Sequence, residues 1–219
     1  MDLMDRALSV LDRGGLIVVA DDEDRENEGD LIGLADRTSQ WMINFMITHG
    51  RGLVCFPVST EIAAQLNLTQ IVGDQSDPFR TAFTQSIDAH PKYGVSTGIS
   101  ALDRACTILR GVDDDATPSD FVWPGHVFPL IARDGGILTR RGHTEASVDL
   151  AKMSGHKPAA VIVEILRPDG LMARRDDLRS LAAVFDLPYL TVSDVVEFRS
   201  QCDRHRLLKV VPKHQGVLI

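Results

Sequence analysis

Two short apolar runs, Leu16–Ala20 and Leu31–Ala35, bracket a decapeptide in which seven of ten side chains are acidic: Asp21, Asp22, Glu23, Asp24, Glu26, Glu28 and Asp30. Arg25 alone opposes them, so the segment carries −6 of the chain's formal −8, and the other 209 residues carry only about −2. Carboxylates held between two strands repel one another unless a proton or a cation is supplied. A divalent metal ion answers that repulsion; a solvated loop, which an acidic run usually is, avoids it. An EF-hand does not fit. Asp24, Glu26, Glu28 and Gly29 fall on its first, third, fifth and sixth places, but Ala35 stands where a bidentate Glu is needed, and the flanks read as strands.

With 219 residues, 44% hydrophobic and 25% charged, the chain can bury one substantial core. It has no apolar run of about eighteen residues that would span a membrane, and its N-terminus, Met1-Asp2-Leu3-Met4-Asp5, lacks the pattern of a secretory signal. Three cysteines, Cys55, Cys106 and Cys202, have no metal-type spacing and suit a reducing cytoplasm. Net negative charge without a basic tract argues against nucleic acid as partner.

Hydrophobic periodicity orders the rest. Leu3, Met4, Ala7, Leu8 and Leu11 predict a helix stopped by Gly14-Gly15. Strands 16–20 and 31–35 follow, then a helix begun by Thr38 or Ser39, a buried strand over Leu53–Phe56 and a short helix over 60–66. Thr81 to Ile87 reads as extended, and Ser100 begins a helix running through Leu109. Val127 to Ala132 reads as a strand that Pro129 should confine to an edge or a bulge. A helix from Thr144 to Met153, a strand over Ala159–Leu166, a helix over 176–185, a strand over 189–192 and a last helix from Ser193 complete the chain. Interleaved strands and helices without a linker or repeat predict one α/β (α+β) domain, residues 1–219, built on a mixed sheet.

Four places carry chemistry. Arg140-Arg141-Gly142-His143-Thr144-Glu145 precedes a helix whose first-turn amides favour anions, a plausible phosphate cradle that equally reads as a capped helix with solvated charges. Glu164 interrupts the apolar run Val161–Leu166. It is either a buried carboxylate with a raised pKa, useful for proton transfer, or a rim residue paired with an arginine. His126, in Pro124-Gly125-His126, stands at the mouth of a strand, where structural and functional readings compete. Ser96-Thr97-Gly98 reads mainly as a cap, and Cys55 as a core residue rather than a nucleophile.

Together these segments resemble the 3,4-dihydroxy-2-butanone-4-phosphate synthase family of riboflavin biosynthesis. The matching residues are Asp21–Asp30, Thr81-Ala82-Phe83-Thr84, Gly94–Gly98 with Asp103-Arg104, Pro124–Leu130, Arg140–Glu145, Asp149-Leu150 and Glu164. The resemblance implies a lyase that converts D-ribulose 5-phosphate to 3,4-dihydroxy-2-butanone 4-phosphate and formate with Mg2+, Mn2+ being an alternative. It implies a three-layer fold around a mixed sheet, and a cytoplasmic homodimer with sites near the subunit interface. By position Glu26 and His143 become metal ligands; Arg25, Glu26, Asp30, Arg140, Arg141, Gly142, His143, Thr144 and Glu164 hold the substrate; His126, Glu164 and Asp30 serve catalysis. Asp77-Pro78-Phe79-Arg80 departs from the family pattern, where a more polar approach is expected, and leaves that loop's shape open. Without the zinc-type cysteines of a GTP cyclohydrolase II domain, the chain reads as the monofunctional form. Two rivals remain: a non-catalytic phosphosugar- or metal-binding regulator, and another metal-dependent phosphosugar isomerase or aldolase.

Overall fold

Alternation inside the apolar strands sets the layers. In the computed structural model, which describes residues 2–71 and 79–210, strand β1 (Ile17–Ala20) sends Val18 and Ala20 to one face and Ile17 and Val19 to the other. Strands β2 (Gly29–Leu34), β3 (Cys55–Val58) and β6 (Ala160–Glu164) divide likewise: Leu31, Phe56, Val161 and Val163 face one core, Ile32, Leu34, Cys55 and Ile162 the other. A strand buried on both sides needs helices on both sides, and the three-layer expectation is met. On the first face lie α2 (Gln40–Phe45), α3 (Thr60–Gln65), α4 (Ala101–Gly111) and α6 (Arg175–Val184); on the second lie α1 (Leu3–Asp12), α5 (His143–Met153) and α7 (Val192–Val210).

With β4 (Ile87–Ala89), β5 (Phe121–Ile131) and β7 (Tyr189–Thr191), the described residues form a seven-stranded mixed sheet ordered β4-β5-β3-β6-β2-β1-β7. β1 and β2 form an antiparallel hairpin with Ala20 opposite Gly29, and β2 pairs antiparallel with β6 so that Asp30 stands opposite Glu164. The acidic segment is thus the loop of a hairpin lying between the central strand β6 and the edge strand β7, and its last two residues already belong to β2. Ile17, Val18, Val19, Leu31 and Ile32 are fully buried. At about 1.5–3 kcal/mol per buried side chain, the ends of the acidic loop are firmly anchored.

The helix starts follow their caps. Ser39 rather than Thr38 caps α2, accepting from the Met42 N–H at 3.1 Å, while Thr38 donates to the Leu34 carbonyl. Ser100 caps α4 through the Asp103 N–H at 3.0 Å. Thr191 and Asp194 cap α7 reciprocally, so that helix starts before Ser193. Two expectations are corrected. Only Phe83 and Thr84 of the segment expected to be extended make bridges, and β4 begins at Ile87, where that segment was to end. Pro129 lies in β5, one strand in from the edge. Phe128 donates to the Val54 carbonyl on the β3 side, so Pro129's missing N–H faces residues 82–84, where the ladder is already broken.

Candidate active site

The seven carboxylates divide by direction. Asp21, its side chain fully buried, ties the loop together: its Oδ2 accepts from Arg25 Nη1 at 2.6 Å and from the Glu26 N–H at 3.0 Å. The Asp21 N–H donates to the Glu28 carbonyl at 2.8 Å and closes the turn. Asp22 and Glu23 lie against distant partners, Asp22 accepting from the Ser193 hydroxyl and standing 3.9 Å from Arg141, Glu23 lying 3.3 Å from Arg175. Arg174 donates to the Glu26 and Asn27 carbonyls. Three arginines from two other segments, Arg141 and the adjacent Arg174 and Arg175, therefore brace a loop in which the sequence offers only Arg25.

Glu26, Glu28 and Asp30 go the other way. Together with Glu164 they line a cavity of about 350 Å3. Glu28 and Asp30, on either side of Gly29 at the start of β2, share a side of the extended chain. Glu26 reaches the cavity from the turn, before Asn27 at φ +53°, and the Asp30–Glu164 register brings the fourth carboxylate across from β6. Arg25, its Nη1 3.2 Å from Glu26 Oε2, lines the same cavity with Arg140, His143 and Thr144, and Cys55, Leu130 and Ile162 contribute sheet residues to the lining, together with Phe79, Thr81 and Phe83. Glu164 is the rim residue of the two readings. It ends β6 half-buried, and among the described residues no arginine pairs with it; its Oε2 accepts from the Leu53 N–H at 2.8 Å.

His143 is the first residue of α5 and is buried. Its Nδ1 stands 3.7 Å from Asp30 Oδ1 and 4.0 Å from Glu26 Oε2, beyond hydrogen-bond distance of both. Burial lowers its pKa to about 4, against the pull of the Asp21 carboxylate, so the ring is neutral at physiological pH. The carboxylates move oppositely. Burial, then the Glu164 and Glu26 charges, hold Asp30 well above the usual range. Burial raises Glu26 against the Arg25 charge, and raises Glu28 with Glu26 adding to the effect. Burial also pushes the Cys55 thiol well up, with Glu164 and Asp30 adding to it; Cys55 sits in the cavity but remains a protonated thiol rather than a nucleophile.

Arg140 is held in a fixed orientation. Its Nη1 donates to Glu145 Oε2 at 2.6 Å, its Nε to the Phe79 carbonyl and its Nη2 to Thr81 Oγ1, both at 3.0 Å. Arg25 lies over the Phe79 ring, 5.1 Å from its centroid. Gly142 permits both guanidinium groups to come close: a Cβ there would fall 2.3 Å from Arg140 Nη1 and 3.2 Å from Arg25 Nη2. Three residues named from sequence stand outside the cavity lining: Gly142 (against the two guanidinium groups), Arg141 and His126. Arg141 is 58% exposed beside Asp22. His126, on β5, pairs with Asp88 of β4 at 2.7 Å. Sequence reasoning gave no site role to Glu28, Thr81, Phe83 or Phe79. The period-two spacing of Glu28 and Asp30 was the available signal for the first.

The arrangement offers a neutral imidazole facing two carboxylates, beside two guanidinium groups and the amide end of a helix. Among the described residues no group of three or more His, Cys, Asp or Glu side chains is arranged to hold a metal ion by itself.

Comparison with known proteins places the chain in a family. A sequence model of the 3,4-dihydroxy-2-butanone 4-phosphate synthase family matches residues 5–198. The chain is 50% identical over 196 residues to the riboflavin biosynthesis protein RibBA of Aquifex aeolicus (strain VF5), covering 90% of this chain and 48% of that protein. It thus spans about half the length of the curated relatives it matches. Among solved structures, a 3,4-dihydroxy-2-butanone 4-phosphate synthase in complex with two magnesium ions superposes with a TM-score of 0.87 at 39% identity, covering 93% of this chain and 99% of that one. The two-domain synthase RibBX of A. baumannii superposes with a TM-score of 0.85 at 45% identity, covering 90% and 57%.

Proposed function

The chain belongs to the 3,4-dihydroxy-2-butanone 4-phosphate synthase family, and we propose that it converts D-ribulose 5-phosphate to 3,4-dihydroxy-2-butanone 4-phosphate and formate, with Mg2+, in riboflavin biosynthesis. The observation that carries this reading is the cavity in which Asp30 and Glu26 face the neutral ring of His143 across 3.7 and 4.0 Å without bonding to it. That donor set suits a divalent cation. Mg2+ favours oxygen ligands and keeps several waters, so one carboxylate and one imidazole are enough protein for it, and Mn2+ accepts the imidazole as readily. Glu26 and His143 would hold the ion. When bound, it supplies Lewis-acid stabilisation of negative charge on adjacent substrate oxygens.

The protein's own groups do the rest. Arg25 and Arg140, with Thr144 and the first amides of α5, bind the phosphosugar. Arg140 is anchored by Glu145, Thr81 and the Phe79 carbonyl and so orients what it binds. Arg141, exposed, acts on the approach rather than in the cavity. The reaction conserves atoms: a five-carbon phosphosugar yields a four-carbon one and formate, losing one water at C1 and regaining one at release. Its enolisation and skeletal steps exchange protons at several positions. Asp30 Oδ1, whose raised pKa favours holding a proton, and the Glu164 carboxylate opposite it are placed to move them.

His126 enters the site from a second copy of the chain in this reading. Gly98 packs against it, and Ile99 after that glycine, Leu102 of α4 and Val122 of the same strand β5 are exposed apolar residues that a second copy would cover. Among the described residues no helix is long and apolar enough to cross a membrane, and the free cysteines suit a cytoplasmic setting. The test is ¹³C NMR of C4-labelled D-ribulose 5-phosphate with the protein, with and without EDTA. Labelled formate that appears only with divalent metal is expected. A labelled pentose phosphate isomer or a triose fragment would assign the site to another phosphosugar reaction, and no turnover with Mg2+ or Mn2+ would reduce it to a binding module.

A further inference from the structure

His126 is held by one group above all, and that group has no part in the function proposed so far. Asp88 lies on β4 opposite β5 and is 5% exposed. Its two oxygens serve different atoms of the same residue. Oδ1 accepts from the His126 backbone N–H at 2.9 Å, and Oδ2 lies 2.7 Å from His126 Nδ1. The turn before α4 closes over the pair. Gly98, at φ +91°, comes so near that a Cβ would fall 1.9 Å from Asp88 Oδ2 and 2.7 Å from His126 Nδ1. The buried Arg104 guanidinium feels the Asp88 charge from the same side. The His126 side chain is nonetheless 43% exposed, so one edge of the ring is clamped while the rest stays accessible.

We propose that Asp88 is a positioning residue that fixes His126 in the tautomer with its proton on Nδ1, presenting a bare Nε2 to the phosphosugar. This rests on the reading of His126 as part of the reaction site. An ionised carboxylate only accepts hydrogen bonds, so a ring nitrogen 2.7 Å from it must donate. The other nitrogen is then an acceptor, able to take a proton from a substrate hydroxyl or to receive its hydrogen bond.

The two-atom grip makes the proposal sharp. In Asp88→Asn the amide oxygen must stay where Oδ1 is, because the His126 N–H still needs an acceptor. The amide nitrogen then faces Nδ1 as a donor, and the ring has to move its proton to Nε2. The side chain's size and the backbone contact are unchanged, but the tautomer is reversed.

The test combines ¹⁵N NMR of histidine-labelled protein with steady-state formate release by wild type, Asp88→Asn, His126→Gln and the double variant. The His126→Gln spectrum assigns the His126 signals. Expected are an Nδ1–H tautomer in wild type, an Nε2–H tautomer in Asp88→Asn, and a kcat lower by about 10²-fold with KM within about twofold. In the His126→Gln background the same change should cost less than about twofold more, because a group that acts through His126 has nothing left to act on. An unchanged tautomer in Asp88→Asn overturns the proposal, and so does a loss of equal size with and without His126. Should Asp88→Asn fail to fold, a wild-type His126 carrying its proton on Nε2 at neutral pH overturns it alone. A wild-type protein that releases no formate refutes the function proposed above, while the NMR arm still decides Asp88.

Discussion

Replacing Asp30 with Asn should make the metal-free protein more stable and the enzyme much slower. Asp30 Oδ1 and Glu26 Oε2 lie 3.7 and 4.0 Å from the same His143 nitrogen, so their separation is bounded by the sum of those distances, about 7.7 Å. Two full charges within that distance repel by about 2 kcal/mol or more at an effective dielectric of ~20, and Glu28 and Glu164 act on Asp30 in the same sense. Among the described residues no side chain donates a hydrogen bond to the Asp30 carboxylate, so Asn forfeits none. In a domain of this size ~1 kcal/mol moves Tm by about 2–4 °C, which puts the gain at roughly 4–8 °C. Folding raises the Asp30 pKa. The stability linked to this group is therefore complete below the unfolded Asp value, about pH 4, and is lost as pH rises through the raised value. The Asn variant does not ionise, so its advantage should be small near pH 4 and widen towards neutrality. Mg2+ should shrink it, because the cation neutralises the wild-type cluster. Calorimetry of both proteins in EDTA, then in Mg2+, across pH 4–8 reads all three effects. A variant less stable than wild type at neutral pH, or a gap that narrows as pH rises, would refute the electrostatic argument.

Three further changes probe the same cavity. Glu26→Gln and His143→Ala should each abolish formate release and erase the Mg2+-dependent rise in stability, which for wild type is about 2.7 kcal/mol at a metal concentration of a hundred times Kd; turnover in either variant at limiting Mg2+ contradicts the assignment. Amide exchange across residues 22–28 should slow when Mg2+ and D-ribulose 5-phosphate are added together, and equal exchange with and without them would dismiss the acidic loop as a ligand-ordered element. Glu164→Gln keeps an oxygen for the Leu53 N–H, so Tm should not fall while formate release drops by about 10²–10⁴-fold. An easily unfolded variant whose folded fraction is fully active would make Glu164 structural instead.

Sequence periodicity carried most of the fold because the strands that matter are short and buried on both faces. Ile17-Val18-Val19 and Val161-Ile162-Val163 have little choice of state once helices are available on both sides. Residues 81–87 misled for the opposite reason. Their apolar pattern is that of a strand, but Pro129 offers no N–H to them, and pairing is reduced to bridges at Phe83 and Thr84. The charge of the acidic loop leaves a solvated loop and a metal site both open, and only its companion Arg140–Glu145 makes it a candidate site; its other partners carry no such signal. Arg174 and Arg175 lie about 150 residues away in the chain, and nothing local marks them as braces for residues 21–28. Glu164 shows the limit most plainly. Its apolar neighbours suggest an interior carboxylate, yet a strand that ends at position 164 leaves that residue half-buried at the rim, and strand ends are what a pattern of alternation defines least well.

The division of the carboxylates between loop and strand has a mechanical consequence. Asp30 and Glu164 face each other within the β2–β6 ladder, next to the buried Leu31–Val163 pair, and opening the loop does not separate them. Their mutual repulsion is therefore built into the sheet; burial first and then the Glu164 charge raise the pKa of Asp30, and a proton on Asp30 relieves both. Glu26 and Glu28 belong to the turn instead, held by Asp21, Arg25 and Arg174, and can shift without breaking a strand. On the roles proposed above, the pair that would exchange protons is fixed relative to the sheet, while Glu26, the carboxylate that would hold the metal, belongs to the loop. A cation held by Glu26 and His143 would then couple the loop to the start of α5, where His143 sits. Asp30 and Glu164 keep their places whether or not the loop moves, because the β2–β6 ladder fixes their register, so on the proposed function only the metal- and sugar-holding side of the cavity has to be assembled by ligands.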